Sequence, residues 1–234
     1  VGALTRNVED YVYFFGCVDP QWGAPQDLLE RLATTELKSV RMALPQCGIW
    51  DDCEVDIVDR LNSVTSDLSG HIRNLVEIDG GLLDDAFELS LGRRAIASTE
   101  CRAFLESELP EWLDILHPIV RTRIKQGLRP DDPEYRAALA DHRRMANEAH
   151  KLFDDADILL LPGNIISPPP VAELADLDRY SEANAAILRP TYPISVLGLT
   201  AISIPVGIDG NGMPIGLQLV APGGQDEALL AVAL

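Results

Sequence analysis

Apolar positions along this chain keep switching between helical and strand spacing. Val8, Tyr11, Val12 and Phe15 recur on one helical face, which predicts a first helix following Thr5 and ending near Gly16. Residues 19–26 read as a Pro/Gly loop. Val40, Met42 and Leu44 alternate, so a short strand is expected, stopped by Pro45. Ile57, Leu61, Val64 and Leu68 mark a second helix that Gly70 ends. A weaker strand is expected over 71–78, with Ile72, Val76 and Ile78 on one face. Residues 82–107 are mostly helical by propensity, and a further helix over 116–126 closes at Gly127.

The clearest helix comes next. Asp132 is placed to cap it, Pro133 suits its first position, and Tyr135, Ala138, Leu139, His142, Met145, Ala149, Leu152 and Phe153 form one stripe. It leads into the unbroken apolar run Ile158 to Leu161, the pattern of a strand covered on both faces. Residues 163–193 read as a long Pro-rich excursion. Two apolar runs, 200–208 and 214–221, flank Asp209-Gly210-Asn211-Gly212-Met213 and read as a hairpin. Pro205 cannot donate to a ladder, which places it at an edge or a bulge. The final residues from Asp226 read as a helix. The expected fold class is α/β, a mixed β-sheet flanked by helices.

Charge narrows the function classes. The chain has 37 acidic against 19 basic residues, a net charge of -18, which argues against nucleic acid as a partner. Cys17, Cys47, Cys53 and Cys101 form no C-x-x-C pair, and the four histidines show no H-x-x-x-H spacing, so neither metal nor cofactor is expected. No apolar stretch reaches membrane-spanning length, and scattered cysteines in a long chain read as reduced and cytoplasmic. The first residues contain no Met and resemble no signal peptide, and helical patterning runs to both ends. The expectation is therefore a chain cut from a longer one.

Four stretches carry a resemblance. They are Gly2-Ala3-Leu4-Thr5-Arg6-Asn7-Val8-Glu9-Asp10, Ala156-Asp157-Ile158-Leu159-Leu160-Leu161-Pro162, the run from Thr191 to Gly207 (TYPISVLGLTAISIPVG), and Pro214-Ile215-Gly216-Leu217-Gln218-Leu219-Val220. In order and content they resemble the later half of the amidase-signature family. The last two, with a glycine-rich turn between them, are the most specific. Ser195 stands where that family commonly has Asn, and Thr200 where it commonly has Pro, which leaves the subfamily open. The resemblance implies that residues 1–234 are the C-terminal portion of one amidase domain. It further implies a small-molecule amide as substrate, and a Ser–cis-Ser–Lys triad that precedes this chain on a missing N-terminal half. A homo-oligomer is possible within the family.

Amide hydrolysis needs a nucleophile, a base to take its proton, and donors for the oxyanion. A lysine serving as base must be neutral, hence buried or near other cations. The sequence offers no Gly-Ser-Ser-Gly run, no G-x-S-x-G and no S-x-x-K. Its closest patterns, Thr35 to Lys38 and Thr122 to Lys125, read as surface. No residue is assigned to the triad. By resemblance, Thr191 and Ile194 are the candidate substrate-binding residues; the alternative is that Thr191 ends a loop and Ile194 fills core. Arg121 and Arg123 are placed to meet an anionic substrate, or else lie on the surface. Asp157 is read as bonding backbone amides beside its strand. Two functions stand against each other: an inactive portion of an amidase, or a non-catalytic binding or regulatory module that kept the scaffold.

Overall fold

The computed structural model describes residues 2–91 and 96–234. In chain order the elements are α1 (Val8–Val18), α2 (Pro25–Leu32), β1 (Arg41–Gln46), α3 (Gly48–Asp51), α4 (Val55–Ser69), β2 (Asn74–Asp79) and α5 (Gly81–Ser90). There follow α6 (Ile96–Glu108), α7 (Trp112–Ile115), α8 (Pro118–Gln126), α9 (Pro133–Glu148) and β3 (Ile158–Pro162). The last are α10 (Leu177–Leu188), α11 (Tyr192–Val196), β4 (Thr200–Ile208), β5 (Pro214–Ala221) and α12 (Asp226–Ala233).

The strands form one mixed sheet in the order β2-β1-β3-β5-β4. β1 runs parallel to β2 and β3, while β5 runs antiparallel to β3 and β4. The chain steps from β1 outward to β2, then back across β1 to β3. Right-handed crossovers in opposite directions put their helices on opposite faces of the sheet. Accordingly, Ile57 and Leu61 of α4 pack on one face, and Leu83, Ala138 and Met145 of α5 and α9 on the other.

β3 joins the two cores. All five of its residues are buried, with Leu159 and Leu161 in the α5/α9 core and Ile158 and Leu160 in the α4/α12 core. That follows from the two-residue repeat of a strand applied to an all-apolar run. A third small cluster, Val12, Leu28, Leu32 and Leu230, ties α1 and α2 to α12.

Several expectations need correction. β1 does not stop at Pro45 but runs through it. β3 is in register only with Met42 and Ala43, so at Pro45 the missing N–H leaves no ladder broken on that side. Within the expected loop over 19–26, Pro25 begins α2, whose Leu28 and Leu32 are buried. The strand expected over 71–78 begins only at Asn74, so Ile72 falls outside the alternation and packs in the α4 core, away from Val76 and Ile78. Residues 163–193 are no open excursion: they contain α10 and the start of α11. Asp176 caps α10, accepting from the amides of Asp178 and Arg179 at 3.0 and 2.9 Å. Of the stretch 82–107 expected to be helical, residues 92–95 lie outside the described residues.

The hairpin is as expected. Asp209 accepts from the amides of Asn211 and Met213, both at 2.8 Å, and Gly212 takes φ 79°, where a side chain would be strained. Pro205 sits on the edge strand β4, beside a register shift between Pro205 and Gly207.

Asp157 does what was expected of it. Its carboxylate accepts the Arg41 amide at 2.9 Å and pairs with the Arg41 guanidinium at 2.8 Å, which pins the start of β1 against β3. The hydrogen bond from the Arg41 side chain holds the Asp157 carboxyl below its ordinary value of 3.8, against an opposing effect of burial. A depressed carboxyl stabilises the fold above the unfolded value and loses that contribution as pH falls through the folded value. We expect Asp157→Asn to cost about 1 kcal/mol at pH 7, because the pair is half exposed. The gap between variant and wild type should close as pH drops below about 4. Urea melts at stepped pH measure it, and a gap independent of pH would refute the assignment.

Candidate substrate cavity

A cavity of about 290 Å³ opens where α5, α6, α8, α9 and α11 converge. Its wall combines apolar groups (Leu89, Ile96, Ala97, Val196) with polar ones (Ser90, Ser98, Glu100, Arg123, His142, Tyr192, Ser195). That mixture, an apolar lining with a few convergent polar side chains, is the usual make-up of a small-ligand site.

Arg123, Glu100, Tyr192 and Ser195 are each placed by an identifiable local cause. α8 ends at Gly127, packed so tightly on α6 that a Cβ there would lie 2.8 Å from the Ser98 carbonyl and 2.9 Å from the Thr99 nitrogen. Glycine thus lets the end of α8 meet the start of α6, and Arg102 fastens the contact by donating to the Lys125 and Gly127 carbonyls at 3.2 and 3.0 Å. Arg123, one turn back along α8, reaches the cavity and donates to the Tyr192 hydroxyl at 3.4 Å. Glu100 of α6 accepts from the Tyr135 hydroxyl of α9 at 3.0 Å. Burial, then the hydrogen bond to the Glu100 carboxylate, raises the Tyr135 pKa. It therefore stays a protonated donor at neutral pH.

α11 supplies the wall from the segment singled out in the sequence. On so short a helix Tyr192, Ser195 and Val196 share one face, at spacings of three and four residues. They line the cavity. Of the two candidate binding residues, Ile194 turns inward into the α5/α9 core at 5% exposure. Thr191 precedes the helix, is exposed, and donates to the Leu188 carbonyl at 3.3 Å. Neither side chain is part of the wall of this cavity. Sequence reasoning missed Glu100, His142, Tyr192 and Ser195. Helical phase from the buried Ile194 would have picked out Tyr192 and Ser195; nothing in the sequence pairs α6 with α8.

The two arginines part company. Arg121 turns to the carbonyls of Asp114 and Leu116 and so ties α8 to α7. Arg123 borders the cavity and is at the same time an exposed surface side chain, as the alternative reading had it.

The other reactive groups are muted. Burial pushes the Cys47 thiol up to about 11 and the Cys53 thiol up to about 12, so neither supplies a thiolate at neutral pH. Lys38, Lys125 and Lys151 are all exposed. Among the described residues, no group of His, Cys, Asp and Glu side chains is arranged to hold a metal ion, and no helix is long and apolar enough to cross a membrane.

The fold has known relatives. Residues 1–230 match the Amidase family model, and the chain belongs to that family. Along its whole length it is 31% identical to 2-amino-5-chloromuconic acid deaminase of Comamonas testosteroni, covering 49% of that protein. A crystal structure of an amidase superposes on 99% of this chain and 51% of its own, with TM-score 0.77 at 24% identity. A 6-aminohexanoate cyclic dimer hydrolase does so with TM-score 0.76 at 21% identity, over 98% and 52%. The chain thus spans about half the length of the relatives that it matches end to end.

Proposed function

We propose that this chain is the substrate-shaping portion of an enzyme that hydrolyses carboxylic amide C–N bonds, with a Ser–cis-Ser–Lys triad on residues outside it. The observation that carries this reading is the cavity on α11. A family-specific segment lines a small-molecule pocket, yet no lysine near it is buried enough to serve as a neutral base. In this reading the triad-bearing part joins the sheet at β4. β4 lies at the sheet edge, paired on one side by β5, and its residues alternate between exposed and half-buried. An edge of this kind is a template for another strand. The deaminase that matches the whole chain also acts, by its name, on a C–N bond. In this reading Ile194 sets the position of α11 from within the core, and Thr191 fixes the turn that leads into α11.

Two preparations test the proposal. The chain alone is expected to release no ammonia from simple aliphatic amides. Protein expressed from the reading frame extended upstream of Val1 is expected to turn them over, and a serine-directed reagent should abolish that turnover. Hydrolysis by the chain alone would place the nucleophile within it. An extended protein that folds and binds amides without cleaving them would identify a non-catalytic binding module.

A further inference from the structure

We propose that residues 171–188 are a hinged lid, pivoting at Arg189 and lifting from two chambers that the rest of the fold leaves unfilled. The lid is separate from the cavity on α11 and does not depend on the amidase reading. The first chamber, about 280 Å³, is lined by Arg179, Glu182, Ala183 and Ala186 of α10, together with Glu54 and Ser167. The second, about 400 Å³, is lined by Ile187 of α10 together with Ser203 and Pro205 of β4 and Ile215 and Gly216 of β5. Ile166 is a wall of both. Arg179, Glu182, Ala183, Ala186 and Ile187 follow the spacing of a single helical face. That is the face by which a helix ordinarily meets a core, and here it meets open space. Accordingly, no α10 side chain whose burial is described is buried, whereas α5 and α9 each bury several.

The segment is anchored beyond both of its ends. On one side the Ser167 hydroxyl donates to the Asp209 carboxylate, and the Ser167 amide donates to Glu54 at 3.0 Å. Pro168, Pro169 and Pro170 follow, and their locked φ angles make a stiff spacer. On the other side Arg189 is held by Asp52 and Asp84, and Ala186 packs against the α5/α9 core. Between these anchors, polar contacts stiffen the segment from within. Asp176 caps α10, and Arg179 pairs with Glu173 at 3.7 Å and with Glu182 at 3.3 Å. All of these partners lie within residues 171–188. The most extensive packing of α10 is likewise on the 3-10 turn just before it, Val171–Ala175. Glu54, on the body side of the first chamber, has the same sign as the net charge of Glu173, Arg179 and Glu182, so electrostatics do not draw the lid down. A segment with so little apolar burial opens at low free-energy cost.

Amide hydrogen exchange of the intact chain, read by mass spectrometry, tests the lid. Lifted off the body, a helix of 12 residues is marginal in water, so the α10 amides exchange at each opening. They are expected to exchange about a hundredfold or more faster than those of α9. Ala183→Leu places an apolar side chain in the first chamber, and should slow exchange across 171–188 severalfold while leaving α9 unchanged. Alanine is the better helix former, so slowing of this kind comes from the filled chamber and not from the helix itself. Ala185→Leu, at a residue that lines neither chamber, should slow nothing. Equal protection of α10 and α9 would overturn the proposal. So would faster exchange in Ala183→Leu, the mark of an overpacked contact with no chamber beneath it. Equal slowing by both leucine variants, or slowing that extends to α9, would also overturn it, since neither is confined to the lid.

Discussion

Leu160→Ala is expected to lower the unfolding free energy by about 3–5 kcal/mol, the range for a leucine emptied from a core that cannot collapse. Leu160 is 0% exposed and packs in the α4/α12 core, while its neighbours Leu159 and Leu161 pack in the other. β3 is held on both sides, by β1 and by β5, so the backbone cannot shift to fill the void. Leu160→Met, which nearly conserves volume, should cost less than about 1.5 kcal/mol. Chemical denaturation of the three proteins reads the effect directly. A loss below about 1 kcal/mol for the alanine variant would mean that this strand is not the shared wall of two cores.

Arg189→Ala comes second, with an expected loss of about 2–3 kcal/mol. Arg189 follows α10, and its side chain is 9% exposed. It donates to Asp52 at 3.1 Å and to Asp84 at 2.6 Å, and its guanidinium lies 4.2 Å from the centroid of the Phe87 ring. Asp84 in turn accepts the Gly48 amide at 3.1 and 3.0 Å. Gly48 must be glycine for this, since a Cβ there would collide with the Arg189 guanidinium. One cation thus gathers α3, α5 and the α10–α11 corner. Removing one partner of a buried pair costs about 3–5 kcal/mol. Here Asp52 and Asp84 keep 58% and 37% exposure and can rehydrate, which brings the figure down. Arg189→Met separates packing from charge: it should recover part of the loss, but not the contacts to the two carboxylates. If Arg189→Met were as stable as wild type, the ion network would contribute nothing and the packing of its stem everything. Because Tyr192 and Ser195 follow this corner, the alanine variant should also broaden the NMR signals of α11.

Much of this architecture was legible in the chain. The stripe from Tyr135 to Met145, its Asp132 cap and its Pro133 start specify α9 through local backbone geometry, while the end of the expected stripe, Ala149–Phe153, tightens into a 3-10 helix. The hairpin is equally local, since its turn chemistry and two apolar runs are contiguous. The burial of β3 on both faces follows from an apolar run too short for a helix of that setting. α10 escaped because none of its described residues is buried, so it shows no clean apolar stripe to read. Pro45 misled because a proline's cost depends on which side its neighbour strand lies, and that is a property of the sheet.

The cavity shows the same division more sharply. The segment beginning at Thr191 could be singled out by its resemblance, because the motif is contiguous. Which of its side chains meet the cavity was decided by the phase of α11 against the core, where Ile194 is buried, Val196 packs against the same core from the cavity side, and Tyr192 and Ser195 line the cavity. That Arg123, Glu100 and His142 share one space was decided by the packing of α8 on α6 and of both near α9. By itself the sequence determined the periodic elements, their caps and the family, because each depends on neighbouring residues or a contiguous motif. Only the tertiary structure decided which distant charges face one another, because contacts such as Arg189 with Asp52 and Asp84 join residues more than a hundred positions apart, and no local pattern encodes that distance.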